Sequence, residues 1–200
     1  EIKVLMLVHP KNLPDETLYA IDQFILRGGR AIIFVDPMAE IDQGDPGDPM
    51  SGQSGRASSL EKLFGTWGIS VDTGNIVGDD GYALTVGGMG GGPVRHLGII
   101  GVDQDGMSQD DVITSGLNVL NLAFAGHITR HDDAIAELTP LIQSSDRAAL
   151  IPTERLLMAR DPEMLRTDFA PTGARYTLAA RIGGKLPSAF PADGKANHVA

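Results

Sequence analysis

The chain has 200 residues, 42% of them hydrophobic, with 16 Lys and Arg against 26 Asp and Glu and a net charge of −10. That length and apolar content allow a sizeable core, and the negative balance excludes a general nucleic-acid binder and disfavours direct attachment to an anionic lipid surface. The absence of cysteine excludes disulfides, thiolate metal sites and a cysteine nucleophile.

The chain opens at Glu1 directly into the apolar run IKVLMLV, closed by Pro10. Such a run suits a strand buried on both faces. In PDETLYAIDQFILRGG, Leu18, Ile21 and Ile25 recur at helical spacing, Asp15 and Glu16 fall in the first turn, and Gly28 supplies the stop. RAIIFVDP is a second buried strand, so the first 37 residues read as a βαβ unit with a parallel strand pair. Residues 38–57 are rich in Asp, Gly, Pro and Ser and read as a long exposed loop.

SSLEKLFGTWG follows, with Ser58 three residues before Glu61 in a capping-box pattern. Leu60, Leu63, Phe64 and Trp67 line one helical face, and Gly68 ends it, so Trp67 is expected to pack in the core. Short strands are predicted at ISV and NIVG, around Ala83–Val86 and Leu97–Val102, near Val119–Phe124, in AIAELTPLIQSS and in RYTLAARIGG; PEMLRTDF is a short helical candidate.

Several motifs invite chemistry. The cluster Gly87–Pro93 lacks the lysine and hydroxyl residue of a phosphate-binding loop, and no long helix pattern follows, so a hairpin or loop is predicted and ATP binding is not. Asp103-Gln104-Asp105-Gly106 fails as a calcium loop, because alignment on Gly106 puts Gly101 and Val112 where carboxylates are required. Asp42, Asp45 and Asp48 suit either loose calcium binding or a solvated surface. His127 and His131 would form a metal pair on a helix, but strand-like residues surround them. Ser54 and Ser115 lack the setting of a nucleophile elbow. Asp36 ends the second strand, where α/β folds place ligand-binding groups. Asp79 and Asp80 end the run after the tryptophan helix, and would share a crevice with Asp36 if that strand were parallel. These three aspartates are the candidate partner-binding residues, and no catalytic, metal-binding or cofactor-binding set is predicted.

Taken in order, LYAIDQFILRGGRAIIFVDP, LEKLFGTWGISVDTGNIVGD, DVITSGLNVLNLAFAG, LTPLIQSS and YTLAARIGGKLPSAFP resemble the ABC transporter auxiliary family, whose named relative is the gliding-motility auxiliary component. The resemblance implies an extracytoplasmic, periplasmic domain of an inner-membrane protein, held by membrane segments outside this chain and working beside an ABC permease and an ATPase subunit. It also implies a class I glutamine amidotransferase-like or flavodoxin-like fold, a three-layer α/β/α arrangement with a mostly parallel sheet. The enzymes of that fold use a cysteine that this chain lacks, so their activity does not carry over. One α/β domain is expected over residues 1–184, with a loop-rich tail over 185–200. The leading expectation for function is a non-enzymatic binding or coupling module. The rivals are a metal-assisted hydrolase using Asp36 or the His127/His131 region, and a glycan- or peptide-binding module, for which aromatic platforms are scarce.

Overall fold

A computed structural model of the protein describes residues 2–42, 56–88 and 90–190. The βαβ unit forms as its pattern predicts. Strand β1 (Val4–Val8), helix α1 (Asp15–Leu26) and strand β2 (Arg30–Phe34) follow one another, and β1 and β2 pair in parallel with Val4 opposite Arg30 and Val8 opposite Phe34. Gly28 takes φ +89° just past the helix, a conformation that Cβ-bearing residues rarely adopt.

Helix α2 (Glu61–Trp67) docks against this unit. Leu63, Phe64 and Trp67 are buried, and they share a core with Ile21, Leu60, Ile69 and Ala136. Leu5, Leu7 and Ile33, on the inner face of the strand pair, pack on the same core. Gly68 closes α2 at φ +75°, and a Cβ there would lie 2.3 Å from that of Ala134, so both backbone and space require glycine. The expected capping box does not form. The N-cap is Leu60, and Ser58 Oγ instead accepts the backbone N–H of Asp36 at 2.8 Å.

The remaining strands are β3 (Ile69–Val71), β4 (Asn75–Asp79), β5 (Ala83–Gly87), β6 (Pro93–Asp103), β7 (Val119–Ala123), β8 (Ile128–Arg130), β9 (Glu137–Gln143), β10 (Ala148–Pro152) and β11 (Thr177–Gly183), with helix α3 (Thr153–Met158) after β10. They pair as β3 with β8, β4 with β10, β9 with β11, and β5, β6 and β7 in one three-stranded sheet, every pair antiparallel. Two further cores lie here, one around Ile76, Leu97, Phe124 and Ile151, the other around Ile100, Val102, Leu141 and Ile142.

This corrects the expected fold class. The chain does not build a three-layer α/β/α fold on a mostly parallel sheet; among the described residues it builds several small, mostly antiparallel sheets with few helices. The physical reason lies in the connections. A parallel neighbour needs a crossover of about a dozen residues or more. The links at 72–74 and 144–147 are far shorter, so their strands seek antiparallel partners elsewhere. The glycine cluster joins β5 to β6 as a hairpin, with Gly88 N–H donating to the Gly92 carbonyl at 2.8 Å.

Beyond β11 the chain returns to α1. Ser188 Oγ and Ala189 N–H donate to the fully buried carboxylate of Asp22 at 2.7 and 3.1 Å. Phe190 meets Tyr19 edge-on at 5.4 Å and lies under Lys62 Nζ. Residues 191–200 of the expected tail fall outside the described residues.

Candidate interaction site

Strands β1 and β2 define the site. Their side chains alternate, so Leu5, Leu7 and Ile33 face the core while Val4, Met6, Val8, Ile32 and Phe34 face out. Ile2 continues the outer row at 71% exposure, and Met6 and Phe34 stand at 61% and 52%. The sequence reads as strands buried on both faces; the described residues cover one. The face left open by the described residues is contiguous, apolar and two strands wide, larger than the scattered single apolar residues of an ordinary surface.

A charged rim closes its carboxyl end. Asp36, just past β2, donates its backbone N–H to the Ser58 hydroxyl and accepts the Ser58 N–H at its carbonyl; Ser58 is buried and fixes where the strand ends. His9, just past β1, turns through φ +50° and places its ring between two carboxylates. Its Nε2 lies 3.1 Å from Asp42 Oδ2 and its Nδ1 3.4 Å from Asp36 Oδ2; the second contact is an ion-pair distance without hydrogen-bond geometry. Lys11 Nζ donates to Asp42 at 2.6 Å. At the opposite, amino end of the face stands Arg30, exposed, in register with Val4, and in no ion pair among the described residues.

Asp79 and Asp80 are elsewhere, in the β4–β10 sheet and the turn after it. Strand β4 is antiparallel to β10, so the parallel arrangement that would have turned them toward Asp36's crevice does not exist. Asp79 is fully buried. It accepts the N–H groups of Gly81, Tyr82 and Ser145 at 2.8, 3.1 and 2.7 Å, and the Ser145 hydroxyl at 2.5 Å. Asp80 is bonded by Arg147 and, at 2.8 Å, by Arg166. Those two guanidinium groups hold its carboxyl below the usual carboxylate range. Cations of this chain therefore already neutralise Asp80.

The other candidates are dispersed. His127 and His131 flank the short strand β8 and find different partners: His127 faces Asp72 at 3.7 Å, and His131 Nε2 meets Ser70 Oγ at 2.6 Å. Asp103 caps its own turn by accepting Asp105 N–H. Asp45, Asp48 and Ser54 lie outside the described residues. Among the described residues, no three His, Asp or Glu side chains gather as a metal set. The sequence reading missed His9 and Lys11. The signal was present, because the rule that selects Asp36 at the end of β2 selects His9 at the end of β1 equally.

Over residues 1–198 the chain matches the family model described as an ABC-type uncharacterized transport system. It belongs to that ABC transporter auxiliary family, and so to the auxiliary components of ABC-type transport systems. No curated protein and no solved structure matches the chain.

Proposed function

We propose that this domain is a non-enzymatic binding or coupling module, extracytoplasmic and part of an inner-membrane protein, that works beside an ABC permease and a separate ATPase subunit. The observation that carries this reading is the apolar face of β1 and β2 that the described residues leave open. A parallel pair is stable when both faces are shielded from water, and an assembly partner supplies the second shield. The family gives the kind of assembly. Division of labour follows from the glycine cluster, a hairpin without a phosphate-loop lysine, which leaves ATP hydrolysis to another subunit. Of the three candidate aspartates, Asp36 keeps the recognition role, because it rims the face; Asp79 and Asp80 hold the β4 turn together.

The test is Met6→Asp combined with Ile32→Asp in the intact protein. Both positions are exposed, so the unfolding midpoint should stay where it is while co-purification with permease and ATPase is lost. Full assembly and transport with the double variant would overturn the proposal.

A further inference from the structure

We infer that His96 is the pin of an acid-opened switch: with its ring neutral it braces a bulge in β6, and proton uptake releases β5 and the amino-terminal half of β6 from the rest of their sheet. The switch is independent of the docking role proposed for β1 and β2.

Strand β6 changes partners part-way along. Pro93 to His96 lie opposite Gly87 to Leu84 of β5, and Ile99 to Asp103 lie opposite Ala123 to Val119 of β7. The register with β5 jumps between Leu84, opposite His96, and Ala83, opposite Ile100, so Leu97, Gly98 and Ile99 fill a bulge. Inside it the Gly98 N–H donates to His96 Nδ1 at 3.0 Å, and the Gly98 carbonyl accepts the Phe124 N–H at 2.7 Å. The His96 residue is 7% exposed, and its ring meets Phe124 edge-on at 5.6 Å. Space is tight, since a Cβ on Gly98 would lie 2.7 Å from Ile76 Cδ1 and 3.1 Å from Phe124 Cδ1. The backbone has no slack there to absorb loss of the brace.

An N–H donor needs a lone pair on Nδ1, so the brace exists only while the imidazole is neutral with its proton on Nε2. A second proton goes to Nδ1, sets two donors face to face, and leaves a buried charge against Phe124. Opening returns the ring to water. Burial holds the closed ring below its ordinary 6.5, so the open form binds protons more tightly and acid drives opening. The elements packed around β6 supply little counter-charge. Strands β5 and β7 carry no titratable residue, Asp79 of β4 is bonded within its own turn, Arg95 and Arg166 are turned to Asp80, and Glu163 is exposed. Glu40, after β2, favours the charged ring, but by less than burial disfavours it.

The experiment is hydrogen–deuterium exchange of the full chain at about pH 7.5 and about pH 5, corrected for the intrinsic exchange rate. Amides of Ala83–Gly87 and Pro93–His96 should lose at least about tenfold in protection in acid relative to those of α2. His96→Asn puts a carboxamide oxygen near the place of Nδ1 and takes up no proton, so it should keep the same protection at both values. Nitrogen NMR of the unaltered protein, labelled at histidine, depends on no variant folding. It should show the Nε2–H tautomer at neutral pH and protonation of His96 in step with the loss of protection. No loss in acid, an equal loss in α2, the same loss in a folded His96→Asn protein, or an Nδ1–H tautomer at neutral pH would each overturn the switch.

Discussion

Met6 and Ile32 are register partners across the parallel β1–β2 pair, and both point away from the core, 61% and 47% exposed. A β-branched or thioether side chain in the middle of a parallel pair is ordinarily covered by a helix. The inner face of this pair is covered by α1, and the outer face is covered by none of the described residues. Under the proposed docking role, stability and assembly should separate along that asymmetry.

Accordingly, Met6→Lys or Ile32→Lys should change the stability of the isolated chain by less than about 0.5 kcal/mol, as at an ordinary surface position. Leu63→Ala, in the core on the opposite side, should cost about 2–5 kcal/mol. Urea unfolding of the three variants checks both statements; a large loss at Met6 would mean the outer face is already packed.

Trp67 anchors α2, only 3% exposed and 6.0 Å from the Phe64 ring. Trp67→Ala should destabilise the fold by about 3–5 kcal/mol. Trp67→Phe should cost less, since it retains a ring and removes an indole N–H that has no hydrogen-bond partner among the described residues. Denaturant midpoints decide, and a blue-shifted native fluorescence should accompany the buried indole.

Asp79→Ala should be among the most damaging polar substitutions in the chain. It strands three N–H groups and the Ser145 hydroxyl, and bonds to a charged acceptor contribute about 1.5–3 kcal/mol each. A loss of at least about 3 kcal/mol in urea unfolding is expected. Ser145→Ala, which keeps the Ser145 N–H bond, should cost clearly less.

Stability should fall on acidification in two steps. Burial pushes the His96 imidazole below its ordinary 6.5, so the fold favours its neutral form; its contribution is complete above 6.5 and is lost as pH falls through the depressed value. Asp80, held down by Arg147 and Arg166, contributes above the ordinary 3.8 and loses that contribution as pH falls further. In both cases the unfolded chain binds more protons, so stability rises with pH. Unfolding measured from pH 7 to 2.5 should show the upper step abolished by His96→Gln and the lower one reduced by Asp80→Asn.

Much of the element pattern was legible. The spacing of Leu18, Ile21 and Ile25 marks α1, and the Leu60–Trp67 stripe with Gly68 marks α2. Pairing was not legible. One βαβ unit suggests a parallel sheet throughout, whereas β4 pairs with the distant β10, Asp79 opposite Ala148 and Asn75 opposite Pro152, and runs against it. Strand β8, with three residues, is too short to show a period, and β10 runs into α3 at Pro152 with no intervening loop to separate them. Asp79 and Asp80 look like an exposed acidic pair in the sequence, because Ser145, Arg147 and Arg166 reach them only through the tertiary fold. At the candidate site the reverse holds. The sequence shows β1 and β2 apolar on both faces, and only the structure reveals that the described residues cover just one of them.

The most direct measurement uses the absence of cysteine. A lone cysteine at Met6, at Phe34 or at Val112, an 85% exposed control, can be labelled with a thiol reagent in the isolated protein and in the assembled transport complex. The account predicts fast labelling at all three positions in isolation, and strong protection of Met6→Cys and Phe34→Cys, with Val112→Cys still reactive, in the complex. Equal labelling rates at Met6→Cys and Phe34→Cys in both states would contradict the claim that this face is where the domain docks.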